Sequence, residues 1–155
     1  MAEDMDAERL PAVSFYFSRK SLEMKTYTFR LRPGQDLFNS IEAFVADKHI
    51  EAGCVLSSVG SLTHVTLRLA NREYYSEYEG HFEIVSMTGT VSTNGSHIHV
   101  SISDGDGVTI GGHLVSGCKI YTTAEIVLAV FDEVVYKREL LKNDSGYEEL
   151  VVYRK

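Results

Sequence analysis

The sequence predicts an α+β domain in which a mainly antiparallel or mixed β-sheet packs with one principal helix. Three observations point there. Several stretches alternate apolar and polar residues, as half-buried strands do. Only one stretch carries an apolar stripe at helical spacing. The 155 residues suffice to bury a core without staples.

In chain order, residues 1–12 ("MAEDMDAERLPA") are expected to form a flexible acidic tail, with residues 13–155 as a single compact domain. "VSFYFSRK" and "MKTYTFRLRPG" read as strands, the second placing Tyr27, Phe29 and Leu31 on one face before Pro33-Gly34 breaks it. Asp36 is a fitting N-cap for a helix to about Lys48, whose stripe is Leu37, Phe38, Ile41, Phe44 and Val45. "GCVLSSVGSL" and "HVTLRLAN" follow as strands, and Val65, Leu67 and Leu69 face away from His64, Thr66 and Arg68. "HFEIVSMTGTV", "HIHVSIS", "IYTTAEIVLAVFDEVVY" and "GYEELVVYRK" complete the sheet. No internal repeat, linker or low-complexity block interrupts them.

Composition narrows the function classes. The formal net charge of -7 is a poor match to a phosphate backbone, although Arg30 and Arg32 lie close together. No apolar run reaches membrane-spanning length, and the N-terminus lacks the basic start and apolar stretch of a signal peptide. Two cysteines, Cys54 and Cys118, imply no disulfide framework. The expected compartment is reducing and cytoplasmic, with the nucleus as the alternative.

The segment at 96–117, "SHIHVSISDGDGVTIGGHLVSG", concentrates three of the six histidines. On "HIHVSIS", Ile98, Val100 and Ile102 share the face that should meet the core, which leaves His97 and His99 on the polar side. Residues two apart on a strand are roughly 7 Å apart at the backbone, so their rings can converge on one ion. The "DGDG" turn then returns the chain and brings His113 back. Gly111 and Gly112 leave room beside it for close backbone approach or positive φ. Three neutral imidazoles suit Zn²⁺ with a fourth position open, while solvated histidines on a sheet face are the bland alternative.

Rival motifs fail on spacing. Asp104 and Asp106 begin like a calcium loop, but Val108, Thr109 and Val115 stand where an oxygen ligand, Gly and Glu are needed. Gly105 and Gly107 start a dinucleotide fingerprint that Ile110 ends. No P-loop or nucleophile elbow occurs. Glu125 interrupts the apolar run "AEIVLAVF" and is expected as a buried carboxylate. Its roles are a structural pairing or, alternatively, a metal ligand, an orienter of a histidine, or a general base. His49, His64 and His81 are expected as surface residues.

"VLSSVGSL" at 55–62, "GHFEIVSMTGTV" at 80–91, "HIHVSISDGDGVTIGGHLVSG" at 97–117 and "TTAEIV" at 122–127 together resemble the plants-and-prokaryotes conserved domain. The resemblance implies a homotrimer, and it implies zinc at the positions of His97, His99 and His113. In plant members the domain is fused to AT-hook segments, and a Gly-Arg-Phe-Glu-Ile stretch serves protein–protein contact. Here that stretch is Gly80, His81, Phe82, Glu83 and Ile84, where His81 replaces a permanent bidentate donor. No Arg-Gly-Arg-Pro hook occurs in the 155 residues, so direct reading of A·T-rich DNA is not expected. The expected function is therefore a homotrimeric interaction or regulatory module with a three-histidine zinc site and protein partners. A metal-dependent lyase or hydrolase is the alternative. A DNA-associated transcriptional regulator ranks third.

Overall fold

Strands make up most of the described residues. The computed structural model describes residues 8–9, 24–142 and 145–155. They form β1 (Glu8–Arg9), β2 (Lys25–Leu31), α1 (Leu37–Asp47), β3 (Gly53–Arg68), β4 (Tyr75–Val91), β5 (His97–Ser103), β6 (Thr109–Leu114), β7 (Lys119–Val130), β8 (Val134–Leu140) and β9 (Glu148–Arg154). One sheet runs β2-β7-β3-β4-β5-β6 and the other β1-β9-β8, and every pairing is antiparallel. The mainly β architecture with one helix matches expectation, although the helix is only 11 residues long. The expected strand at 13–20 and most of the expected tail lie outside the described residues.

The last strand of the larger sheet returns to its middle. β6 pairs with β3 through Leu67↔Leu114 and Arg68↔His113, closing β3, β4, β5 and β6 into a ring. Ile98, Ile102, Leu62, Leu67 and Leu114 fill it and are fully buried. The smaller sheet docks against one end of the ring. Tyr136 N donates to Glu51 O at 2.9 Å, and Ser92 Oγ and Asn94 Nδ2 donate to Tyr136 O at 3.2 and 3.1 Å.

The helix begins where its cap predicts. Asp36 Oδ1 accepts from Asn39 N at 3.0 Å, satisfying a donor at the helix start. Leu37, Ile41 and Val45 are buried, and Phe44 stacks on Phe29 of β2 at 4.1 Å. The other carboxylate oxygen of Asp36 accepts from Gly117 N at 2.8 Å, and Asn39 Nδ2 donates to Ser116 Oγ at 2.9 Å. The helix start is thus tied to the segment that follows β6.

Two boundaries differ from expectation. "GCVLSSVGSL" and "HVTLRLAN" run as one strand, β3, because a register shift between Leu62 and His64 bends the strand without ending it. The stretch at 120–136 instead breaks into β7 and β8 in different sheets. Phe131 N donates to Ala52 O at 2.9 Å, and exposed Asp132 and Glu133 make the turn.

Glu125 requires a correction. It is exposed, not buried. β7 is a central strand, but Ala124 and Ile126 face the core, so Glu125 projects from the other side of the sheet. Its register partners are Arg30 on β2 and Val59 on β3, which keeps it on strands that carry no triad histidine.

Candidate metal centre

Two ladders bring the three histidines together. His97 and His99 alternate with buried Ile98 on β5, and His99 stands directly opposite His113 on β6. The β5–β6 turn is fixed by Asp104, whose Oδ1 accepts from Asp106 N at 3.0 Å and Val108 N at 2.9 Å. Gly111 and Gly112 supply the close approach expected of them, without positive φ. A Cβ on Gly111 would lie 2.8 Å from Val100 O, and one on Gly112 would lie 3.0 Å from Arg68 O.

The ring centroids are 4.9 Å apart for His97–His99, 5.0 Å for His97–His113 and 5.6 Å for His99–His113. One ligand nitrogen from each ring lies within 4.8 Å of the others. The Nε2 atoms of His97 and His99 are 3.1 Å apart. Two nitrogens on a tetrahedral zinc are separated by about 3.3 Å, given bonds of about 2.0–2.1 Å. His113 Nδ1 is buried and has no hydrogen-bond partner among the described residues. The donor set, the spacing and this orphaned nitrogen all fit a zinc ion.

The electrostatics favour neutral, ligating imidazoles. Burial, followed by the Arg68 guanidinium, pushes His113 down to about 4. Burial and then Arg138 hold His97 below the ordinary histidine value, and Glu149 pulls weakly the other way. At neutral pH both rings therefore keep a lone pair for a cation.

A cleft of about 560 Å³ opens beside His97 and His113, and its walls include Arg68, Asn94, Ser96, Arg138, Tyr147 and Glu149. Arg68 faces His113 across the β3–β6 ladder. Arg138 comes from β8 and donates to Thr90 Oγ1 at 2.8 Å, which fixes it beside the strand that pairs with His97. Sequence reasoning missed these residues, since Arg68 reads as ordinary strand polarity and Arg138 lies far from the histidines in the chain. The "GHFEI" stretch sits apart on β4. His81 and Glu83 are exposed, Phe82 is half-buried and Ile84 is buried, while the His81 ring meets Tyr121 edge-on at 4.4 Å.

The model of the Plants and Prokaryotes Conserved (PCC) domain matches residues 18–132. The chain belongs to that family. The PCC domain is 44% identical over 127 residues to the bifunctional protein GlmU of Synechococcus sp. strain JA-3-3Ab, a match covering 82% of this chain and 20% of that protein. The chain thus spans about a fifth of that curated relative. A hypothetical protein from Salmonella enterica superimposes with a TM-score of 0.84 at 35% identity, covering 88% of this chain and 98% of the other. A metal-containing protein from Archaeoglobus fulgidus does so with a TM-score of 0.69 at 27% identity, covering 84% and 98%. Among the described residues of this PCC domain, no helix is long and apolar enough to cross a membrane.

Proposed function

We propose that this PCC domain is a homotrimeric interaction or regulatory module in which His97, His99 and His113 hold one zinc ion. The observation that carries the metal is the approach of one nitrogen from each of three imidazoles to within 4.8 Å of the others, with a buried His113 nitrogen that lacks a partner among the described residues. The metal-containing relative from Archaeoglobus fulgidus lends support. The trimer follows from the family resemblance. It is supported by apolar side chains left on the surface, among them Leu56 at 49%, Val59 at 54% and Val85 at 55% exposed. Its partners are proteins, and its compartment is the cytoplasm. A net charge of -7 gives the chain no electrostatic pull toward duplex DNA.

A second reading, a metal-dependent lyase or hydrolase, is favoured by the cleft beside the triad. Zinc bound there would supply Lewis acidity toward a ligand oxygen. The chain's own residues would hold the ligand, with Glu148 and Glu149 the carboxylates lining that cleft to move a proton.

Elemental analysis of tag-free protein, beside the His97→Ala, His113→Ala double variant, tests the metal. The expected result is about one zinc per chain in the wild type and none in the variant. A metal-free wild type after zinc incubation and dialysis would return the histidines to surface decoration. Sedimentation as a monomer at micromolar concentration would remove the trimer.

A further inference from the structure

Two guanidiniums converge on the cleft from different sheets, Arg68 from β3 and Arg138 from β8. Neither forms an ion pair among the described residues. Arginine presents a planar fork that matches a carboxylate in bidentate fashion; Arg138 gives one donor to Thr90 Oγ1, and neither fork meets a carboxylate among the described residues. Ser96 and His113, which line the same cleft, each carry a buried polar atom, Oγ and Nδ1, without a partner among the described residues.

We propose that this cleft binds a small carboxylate, which Arg68 and Arg138 hold against the histidine triad. The proposal deepens the metal-centre reading and rests on it for the place where the anion sits. Glu148 and Glu149 line the same cleft and oppose the two positive charges. With zinc on the triad, the positive charges of the site would outnumber these two carboxylates and leave it attractive to a small anion. Ser96 lines the same cleft and precedes His97 in the chain.

The walls of the cleft have different origins in the chain. His97, His113 and Arg68 fall within the family-matched residues 18–132. Arg138, Tyr147, Glu148 and Glu149 belong to the β8–β9 hairpin or its connection, beyond that match. The metal ligands and Arg68 therefore lie in the shared domain, and the hairpin adds Arg138 and the two carboxylates.

The test is isothermal titration of lactate and, separately, inorganic phosphate into protein whose zinc content has been measured. The wild type, Arg68→Gln, Arg138→Gln, Arg138→Lys and the double histidine variant are compared, with circular dichroism to confirm folding. The expected result is lactate binding that weakens roughly tenfold or more in each Gln variant, with zinc content unchanged. Arg138→Lys should fall between wild type and Arg138→Gln, because it keeps the charge and loses the fork. Lactate binding unchanged in folded Arg68→Gln and Arg138→Gln overturns the proposal, as does a zinc-loaded wild type that binds phosphate alone or neither anion. Arginine-dependent lactate binding by zinc-free wild type would retain the carboxylate site while removing the metal centre, so the two readings fail separately.

Discussion

β5 and β7 pose the same problem in sequence and receive different solutions in the fold. Each sets ionisable side chains between apolar ones: His97 and His99 around Ile98, and Glu125 between Ala124 and Ile126. On both strands the apolar neighbours are buried and the ionisable groups face outward. What differs is the strand alongside. β6 sets His113 opposite His99, and β3 sets Arg68 opposite His113, so polar chemistry accumulates at one place. Glu125 instead meets Val59 on one side and Arg30 on the other, and Arg30 donates through Nε to Thr123 Oγ1 at 2.8 Å. A site on a sheet is made by register between strands more than by the pattern along any one of them.

The comparison breaks most severely if β5 is pushed out of register. Gly89 on β4 lies against β5, and a Cβ there would sit 2.1 Å from His97 O and 2.6 Å from Ile98 Cα, both backbone atoms. Gly89→Ala should lower stability by about 3 kcal/mol or more, on the order of 6–12 °C in Tm for a chain this size. It should also strip the zinc, as read by thermal unfolding and elemental analysis. An alanine variant that unfolds with the wild type would mean that β5 shifts freely, and the triad would then owe little to register.

Acid gives an intermediate effect. Since the folded-state value of His113 is lowered from 6.5 to about 4, its unfolded form takes a proton first as pH falls. Stability associated with the neutral ring is present above about 6.5 and is lost as pH falls toward about 4 in metal-free protein. Zinc should likewise stay bound through pH 6.5 and leave as the pH approaches about 4. Equilibrium dialysis across that range checks the point, and release already complete at pH 6.5 would contradict the lowered His113 value.

Glu125→Gln should do least. Exposed and remote from the triad in register, it should leave zinc content unchanged and alter stability by no more than about 0.5 kcal/mol. Loss of zinc in this variant would restore Glu125 to the site and dissolve the contrast between the two strands.

Much of this was legible along the chain. The limits of β5, the Asp36 cap and the stripe Leu37, Ile41 and Val45 are local matters of periodicity and capping, and the structure keeps them. His97, His99 and His113 could be grouped because one short hairpin joins them. Arg68 and Arg138 could not, because the β3–β6 ladder and the docking of β8 are long-range pairings that no periodicity encodes. Glu125 was misread for a related reason. Val127 and Ala129, on its side of β7, are themselves half-buried and buried, so the run imitates a strand covered on both faces.

The strand that carries His113 is held from several directions. β5 flanks it along one edge, β3 grips the other, and Asp36 and Asn39 fasten the segment just past its end. The exposed turn through Gly105, Asp106 and Gly107 is only one more attachment. Peptide continuity there contributes little to the placement of the histidines. That turn is accordingly where the domain can best accept an inserted sequence, a nick or a new pair of termini, since the imidazoles are positioned by the ladder around them and not by the link between their strands.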